Sequence, residues 1–255
     1  MKILIISNMY PSVDDPVYGT FVEVFYNNIK KANNETTDLV AIRGRYGFKI
    51  LKYIVFYLQI LCSLLFSKYD LIYIHTITFP MPPIWMISKI RNLPLVFNVH
   101  GADLLEGGKI VQLMRKLGRK VVLSSKLLVS PSIYFKGKIR QLYPEYPPCN
   151  IFVSPSGGVD TSVFHPIVKS RENDTKVIGF VSRIDEGKGW DIYIKAMYLL
   201  YKRNYKVKGI IVGRGSQVDS MRKLIAELEM SSVIDYIGPV PRENLPEVYS
   251  KFDLF

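Results

Sequence analysis

The sequence predicts an α/β protein with two parallel β-sheets, each wrapped by helices, the second sheet being incomplete. Short β-branched runs alternate with longer amphipathic segments along the chain, which is the pattern of buried parallel strands joined by helices. A segment rich in Pro, Gly, Ser and charge at 155–173 divides this alternation in two. The 255 residues, 48% of them hydrophobic, suffice for two cores of moderate size.

The first half opens on an unbroken run of Ile and Leu, as expected of a strand covered on both faces. Pro11 and Pro16 mark the segment 8–18 that follows it as a loop. The predicted strands are 2–7, 38–42, 70–75, 95–99, 127–130 and 150–154. The predicted helices are 19–33, 48–67, 82–91, 108–122 and 132–142.

The second half repeats the alternation and then stops. Its predicted strands are 176–182, 207–212 and 233–237, and its predicted helices are 190–203, 217–229 and 244–250. Residues 252–255 open a further strand, and a domain that ends there would leave an open edge and an uncovered face. We therefore expect a fragment of a longer protein, with domains at 1–165 and 166–255 and the second cut roughly in half.

Residues 53–67 form an uncharged, mostly apolar run of 15 positions. A helix that spans a membrane needs about 20 apolar residues. The run is therefore predicted to be a buried or interface-lying helix, and no transmembrane segment is expected.

Positive charge is concentrated in the first domain. The net charge is +12, and residues 1–170 contribute +10 of it, from 20 basic and 10 acidic residues. No acid occurs between Glu106 and Glu145, whereas nine bases do. Five of them fall close together: Lys109, Arg115, Lys116, Arg119 and Lys120. The pattern indicates an anionic partner, namely phospholipid headgroups, a lipid diphosphate or nucleic acid, with a merely solvated surface as the alternative.

Candidate ligand-binding residues follow the predicted strands, because ligands of open parallel sheets bind at the carboxyl ends. His75 ends the third strand, and His100 follows the fourth in a turn with Gly101 and Asp103. Gly101 would allow close backbone approach, and Asp103 could accept hydrogen bonds from sugar hydroxyls. A hydrogen-bonded structural role is the alternative for either histidine.

Two helix starts are candidate anion sites. Gly19 and Thr20 begin the first helix, where free N–H groups favour an anion, with a tight turn into the helix as the alternative. A stronger site follows the strand that ends on Ser182 and Arg183, since a glycine-bearing turn there carries Lys188. The planar fork of Arg183 and the point charge of Lys188 suit a diphosphate, although a solvated turn with two bases remains the alternative.

Two further glycine turns follow the next strands, at Gly213 and at Gly238, Pro239 and Val240. Each suits close approach to a ligand or simple turn formation. No HExxH, GxSxG, Asp-x-Asp or Cys/His set is present, so no metal or cofactor is expected. The two cysteines form no CxxC pair, which favours a reducing, cytoplasmic compartment.

Taken in order, these motifs resemble the retaining GT-B glycosyltransferases of the "glycosyl transferases group 1" type, family 4. The resemblance rests on His-Gly-Ala-Asp at 100–103, Ser-Arg…Lys-Gly at 182–189, Gly-Val-Asp…Phe-x-Pro within 155–166, and the turns at 210–215 and 237–240. It implies two Rossmann-like domains facing a cleft. It also implies retaining transfer from a nucleotide-diphosphate sugar to a saccharide or lipid-linked acceptor, in polysaccharide or glycolipid synthesis.

The resemblance also implies roles for residues. His100, Arg183 and Lys188 would be catalytic, the latter two neutralising the departing diphosphate without a metal, and His75 would lie on the acceptor side. The implied donor-binding residues are Gly19, Thr20, Gly101, Asp103, Ser182, Gly213, Gly238, Pro239 and Val240. The basic segment would contact an anionic membrane, giving a cytoplasmic protein peripheral to the inner face of the cell membrane, with no nucleic acid as partner.

Some features depart from the family pattern. Ser156 stands where many members have Asn, and Arg214 where an acid is common. The family's Glu-x7-Glu segment would begin beyond Phe255, so the chain alone is expected to be inactive or very weak. The alternatives are a sugar-nucleotide epimerase on the same scaffold, a nucleic-acid-binding module and a non-catalytic binding remnant.

Overall fold

A computed structural model describes residues 1–16, 18–33, 36–101, 103–105, 107–155, 161–167 and 174–255. The chain divides into two compact units, Met1–Gly158 and Val159–Phe255. Each unit has its own parallel sheet and its own hydrophobic core. Most of the segment 155–173, predicted as a linker, lies outside the described residues.

The first unit is built on a six-stranded parallel sheet of order β2-β1-β3-β4-β5-β6. Its strands are β1 (Ile3–Tyr10), β2 (Thr37–Arg43), β3 (Leu71–His75), β4 (Leu95–Asn98), β5 (Leu127–Ser130) and β6 (Ile151–Val153). The direction in which the chain adds strands reverses between β1 and β3. In open parallel sheets such a reversal leaves a crevice at the carboxyl ends, where ligands bind.

Five helices cover this sheet: α1 (Thr20–Ala32), α2 (Lys49–Phe66), α3 (Met81–Ser88), α4 (Lys109–Leu123) and α5 (Ile133–Leu142). Helix α3 packs between α2 and α4. Alternate residues of β1 and β3, such as Ile6 and Ile74, are fully buried and share a core with Ile60 and Leu64 of α2. The alternation of the strands and the helical spacing of α2 thus bury one face of the sheet.

The second unit contains a three-stranded parallel sheet of order β7-β8-β9. Its strands are β7 (Lys176–Val181), β8 (Val207–Val212) and β9 (Ile234–Gly238), and its helices are α6 (Trp190–Lys202), α7 (Val218–Glu227) and α8 (Leu245–Tyr249). Leu254 forms only an isolated parallel bridge with Ile178, in place of the strand predicted at 252–255. The core includes Ile194 and Met221, both fully buried.

The structure corrects the predicted loop at 8–18, because β1 continues to Tyr10. A register shift between Ser7 and Tyr10 lets Tyr10 pair with Arg43 of β2. This irregularity depends on the partner strand, so the local sequence does not reveal it.

Of the two alternatives predicted for 53–67, the buried helix describes one face of α2 and not the other. Phe56, Ile60 and Leu64 of α2 are buried, but Ile50 and Leu58 on the other side are 76% and 55% exposed. Within the described residues, α2 is the helix whose length and composition would let it cross a membrane. An interface-lying helix remains the prediction.

Candidate functional site

His75 and His100 meet at the carboxyl ends of β3 and β4. His75 Nδ1 and His100 Nε2 are 2.9 Å apart and share a hydrogen bond, and the ring planes are 13° from parallel. Phe21 of α1 packs against His100 at a centroid distance of 4.7 Å, and Phe25 packs against His75 at 5.2 Å. The sequence placed both histidines at strand ends, and the fold brings them into direct contact.

The Asp103 carboxylate holds the turn that carries His100. Its Oδ1 accepts from the His100 N–H at 2.9 Å, and its Oδ2 accepts from the Ile77 N–H at 3.1 Å. Gly101 has a φ of +86°, and a Cβ there would lie 2.7 Å from the Phe135 ring. Both carboxylate oxygens of the buried Asp103 therefore accept hydrogen bonds from backbone N–H groups. Its contact with the donor sugar stays a prediction.

Burial controls protonation in this cluster. It lowers the pKa of His75 to about 3, with a smaller contribution from neighbouring His100, and it lowers the pKa of His100 to about 4. Burial also raises the pKa of Asp103, against the opposing effect of its backbone hydrogen bonds. The two imidazoles are consequently neutral at physiological pH and can exchange hydrogen bonds without carrying charge.

Three buried polar atoms lie where the sheet reverses direction. Asn8 Oδ1, His75 Nε2 and Thr76 Oγ1 have no hydrogen-bond partner among the described residues. Thr76 also has a φ of +78°, which costs a β-branched residue about 1–3 kcal/mol. Strain and unpartnered polar atoms make this edge a candidate ligand site. Asn8 and Thr76 were not among the predicted site residues, although their polar side chains at predicted strand ends were a usable signal.

A cavity of about 340 Å³ opens beside Asn8. It is lined by Asn8, Tyr18, Ile42, Gly44, Arg45, Lys49, Lys52 and Tyr53. The Arg45 guanidinium is paired with Asp15, with 2.9 Å between Nε and Oδ2, and Lys52 Nζ donates to the Arg43 carbonyl at 2.7 Å. The lining combines cations, tyrosines and an unpartnered amide oxygen, which suits a hydroxylated anion.

Gly19 is required by the chain's own packing. It has a φ of +72°, and a Cβ there would lie 2.7 Å from the Met9 carbonyl carbon. Thr20 follows as the half-buried first residue of α1. This tight approach explains the glycine without a ligand, and the predicted donor contacts of both residues remain predictions.

In the second unit, the predicted basic pair lies on the loop after β7. Arg183 is half exposed and pairs with Asp185, with 3.2 Å between Nη1 and Oδ2. Asp185 also accepts from the N–H and hydroxyl of Ser216. Lys188 is exposed on the turn before α6, and the Ser182 N–H donates to the Val212 carbonyl.

The glycine turns of this unit bring segments of the chain together. Gly213 has a φ of +146°, and a Cβ there would overlap the Ser182 carbonyl oxygen. Its N–H donates to the Gly238 carbonyl at 2.9 Å, just before exposed Pro239 and half-buried Val240. Close packing within the protein explains why residue 213 is a glycine, whereas a Cβ at Gly238 would meet no atom within 4 Å. The donor-binding roles stay predictions.

The basic segment divides into engaged arginines and exposed lysines. Arg115 Nε donates to the Asp103 carbonyl at 2.8 Å, and Arg119 pairs with Glu145 at 2.6 Å. The expectation of uncompensated charge is therefore wrong for Arg119, because an acid just outside the segment reaches it. The exposed lysines of α4 are Lys109, Lys116 and Lys120.

Comparisons with known proteins agree with this architecture. Residues 19–163 match the family model described as Glycosyltransferase Family 4, and residues 165–255 match the one described as Glycosyl transferases group 1. A D-inositol 3-phosphate glycosyltransferase of Corynebacterium aurimucosum is 24% identical over 193 residues, covering 67% of this chain and 45% of the relative. The chain spans about half the length, or less, of the curated relatives it matches.

Solved structures share the fold. A sucrose-phosphate synthase from Thermosynechococcus elongatus superposes with a TM-score of 0.73 at 11% identity, over 99% of this chain and 74% of that one. The apo form of a lipopolysaccharide outer core galactosyltransferase gives a TM-score of 0.64 at 13% identity, over 99% of this chain and 72% of that one. The predicted GT-B fold is confirmed. Among the described residues, no group of three or more His, Cys, Asp or Glu could hold a metal.

Proposed function

The chain belongs to glycosyltransferase family 4, and from that premise we propose that the whole protein transfers a sugar from a nucleotide-diphosphate donor to a saccharide or lipid-linked acceptor. The transfer retains the anomeric configuration and serves polysaccharide or glycolipid synthesis. The observation that carries the donor assignment is the basic pair after β7. Arg183 and the exposed Lys188 lie five positions apart on one loop, at the carboxyl end of a parallel strand.

The donor diphosphate takes the place of Asp185 beside Arg183. An exposed ion pair contributes about 0–1 kcal/mol, whereas a bidentate contact between Arg and phosphate is considerably stronger. In the reaction, the bond from the anomeric carbon to the phosphate oxygen breaks and a bond to the acceptor oxygen forms. The acceptor proton passes to the leaving phosphate, whose charge Arg183 and Lys188 neutralise without a metal. A catalytic role of His100 in this transfer is proposed from the family resemblance.

Titration of the full-length protein with UDP- and GDP-sugars tests the donor assignment. Arg183→Ala is expected to raise Kd for the donor at least about tenfold, the loss of one charge-assisted contact. Lys195→Ala is the matched control, because Lys195 is exposed on α6 and pairs only locally with Asp191. Absence of nucleotide-sugar binding, or wild-type affinity in Arg183→Ala, would contradict the proposal. Epimerised donor formed without acceptor would favour the epimerase.

The acceptor binds at the cavity beside Asn8 and carries a phosphate. Lys49 supplies positive charge at this cavity, whereas the charge of Arg45 is compensated by Asp15. The unpartnered Asn8 Oδ1 can accept from an acceptor hydroxyl. Several curated relatives are D-inositol 3-phosphate glycosyltransferases, so a phosphorylated polyol acceptor is consistent with them. His75 lies on the same acceptor side.

Competition between inositol phosphate and inositol tests this acceptor class. Inositol phosphate is expected to bind the full-length protein at least about tenfold more tightly, and Lys49→Ala is expected to remove most of that difference. Lys31→Ala, at an exposed lysine in the last turn of α1, is the control. Equal affinity for the two ligands would exclude a phosphate site.

A bilayer covers the face formed by α2, α3 and α4. Exposed apolar side chains cluster on α2 and α4: Ile50, Leu51, Ile54, Val55, Leu58, Leu65, Phe66, Ile110 and Leu113. Lys109, Lys116 and Lys120 lie on the exposed side of α4 with Leu113. Because Phe56, Ile60 and Leu64 attach α2 to the core, α2 lies in the plane of the interface. Three lysines contribute about 3 kcal/mol at an anionic surface, so the apolar side chains are needed for stable attachment.

Co-sedimentation with phosphatidylglycerol-containing vesicles tests the membrane assignment. Leu58→Glu is expected to reduce binding strongly, whereas Ile192→Glu, at a comparably exposed apolar position of α6, is expected to leave it unchanged. Equal binding to pure phosphatidylcholine would contradict the role of the lysines, and salt-sensitive retention on DNA but not on vesicles would support the nucleic-acid alternative.

A further inference from the structure

Asp185 is held by Ser216 on one side and faces Arg183 on the other. Its Oδ1 accepts from the Ser216 N–H at 2.8 Å and from the Ser216 hydroxyl at 2.9 Å. Its Oδ2 lies 3.2 Å from Arg183 Nη1. Because different oxygens make these contacts, Arg183 can leave the carboxylate while both bonds to Ser216 stay in place.

The backbone fixes the position of this carboxylate. The loop after β7 and the loop after β8 are joined next to it, since the Ile184 N–H donates to the Arg214 carbonyl at 3.0 Å and the Gln217 N–H donates to the Ile184 carbonyl at 2.9 Å. A Cβ at Gly215 would overlap the Ile184 carbonyl oxygen, so the two loops are in close contact there. Asp185 therefore stays in place when its partner moves.

Arg183 is the more exposed member of the ion pair. Its side chain is 53% exposed, against 24% for Asp185, so the guanidinium can turn toward a ligand while the anchored carboxylate cannot follow. Lys188 is exposed on the same loop, and its N–H donates to the Asp185 carbonyl at 3.3 Å. A diphosphate that binds Arg183 must therefore displace Asp185 from it, while Lys188 offers a second cation nearby.

We propose that Asp185 is a built-in competitor of the diphosphate, which lowers the affinity of the site and speeds release of the nucleoside diphosphate product. It is a positioning residue that acts through Arg183: its carboxylate pairs with the guanidinium in the empty site and pairs with it again as the product leaves. An exposed ion pair of this kind changes affinity by up to about fivefold. The role rests on the proposed nucleotide-sugar donor.

Titration of the full-length protein with UDP and GDP tests the competition. Asp185→Asn keeps an acceptor oxygen for Ser216 but loses the negative charge. It is expected to tighten binding of the nucleoside diphosphate about fivefold and to slow its dissociation. In an Arg183→Ala background the same substitution is expected to change the affinity less than about twofold, because the contact that it removes is already lost.

Asp235→Asn is the matched control. It breaks an exposed ion pair with Lys208 in the same unit, near the amino ends of β8 and β9, and is expected to leave the affinity unchanged. Asp185→Ala is a second variant that also loses the acceptor for Ser216. It is expected to be less stable than the wild-type protein and yet to bind the nucleoside diphosphate more tightly, a combination that a purely structural role of Asp185 does not produce.

Weaker or unchanged binding in Asp185→Asn or in Asp185→Ala would overturn the proposal, because a carboxylate that only orients Arg183 for the ligand would weaken binding when removed. An equal gain in the Arg183→Ala background would overturn it as well. Absence of UDP and GDP binding in the wild-type protein would overturn both this role and the proposed function. Tighter binding in Asp185→Asn, in a protein without transferase activity, would refute the proposed function alone.

Discussion

At the residue scale, the Asp103 carboxylate joins two segments that are distant in sequence. It accepts from the N–H groups of His100 and Ile77, and it is buried. Asp103→Ala is expected to lower the free energy of unfolding by about 2–4 kcal/mol, because it leaves two buried N–H groups unpartnered. Asp103→Asn keeps one acceptor oxygen and is expected to lose about half as much. Urea denaturation measures both, and equal stability of the two variants would contradict the anchoring role.

The lowered pKa values of His75 and His100 predict acid sensitivity. The unfolded chain binds protons at these groups below about pH 6.5, whereas the folded protein does not until about pH 4 or 3. Their contribution to stability is therefore complete above pH 6.5 and is lost progressively as the pH falls toward 4. Asp103, whose pKa is raised, acts in the opposite direction.

Urea denaturation at pH 7.5 and pH 5.0 checks the effect of the histidines. The loss of stability between these pH values is expected to be smaller in His75→Asn than in the wild-type protein, because one of the two groups is gone. An equal loss in both proteins would assign the acid sensitivity to other residues.

Gly213 and Gly187 differ in the space around them. A Cβ at Gly213 would overlap the Ser182 carbonyl, whereas at Gly187 it would meet nothing within 4 Å, although φ is positive at both. Gly213→Ala is expected to destabilise the second unit by more than about 3 kcal/mol, and Gly187→Ala by about 1–2 kcal/mol. Trp190 fluorescence during urea denaturation measures the stability of both variants. A loss of stability in Gly213→Ala as small as that in Gly187→Ala would contradict the close contact.

The sequence supports some residue-level conclusions and not others. Positions at the ends of predicted neighbouring strands correctly suggested that His75 and His100 share one edge. The bond from Asp103 to Ile77 could not be inferred, because it joins two loops whose separation depends on the packed sheet. Likewise, Glu145 reaches Arg119 only because the end of α5 lies beside α4.

At the scale of elements, α2 has two apolar faces with different surroundings. Ile60 is fully buried against the sheet, and Leu58 is 55% exposed. Ile60→Ala is expected to cost about 2–5 kcal/mol, and Leu58→Ala less than about 0.5 kcal/mol. Thermal unfolding followed by circular dichroism checks this, and similar costs would mean that the exposed face is covered in solution.

The same helix shows what an apolar run reveals and what it conceals. The long apolar segment, uncharged over 53–67, predicts a helix at 48–67, and the structure confirms one at Lys49–Phe66. Which side of α2 faces the core depends on the register of β1 and β3 beneath it. Because the helix is apolar on every side, its sequence does not predict which side is buried. By contrast, the mixed spacing of α4 identifies its solvent side directly.

At the scale of the whole molecule, the two units have separate cores, and each contains one tryptophan, Trp85 or Trp190. Ile194→Ala, in the second core, is expected to shift the unfolding transition reported by Trp190 more than that reported by Trp85. Single-tryptophan variants, Trp85→Phe and Trp190→Phe, separate the two signals. Equal shifts would show that the units unfold as one.

The division into two α/β units was predictable, because the alternation of strands and helices stops and restarts around 155–173. The surface was less predictable, since charge counted along the chain does not show which bases pair. In the folded chain the lysines of α4 are exposed, whereas Arg115 donates to the Asp103 carbonyl and Arg119 pairs with Glu145.

The segment 252–254 protects amide hydrogens at the outer edge of β7. The Gly179 N–H donates to the Leu254 carbonyl, and the Val177 N–H donates to the Asp253 carboxylate. The Phe252 ring occupies the space where Gly179 lacks a side chain. Hydrogen exchange at these two amides is therefore expected to follow the opening of this segment from β7, which can occur without global unfolding.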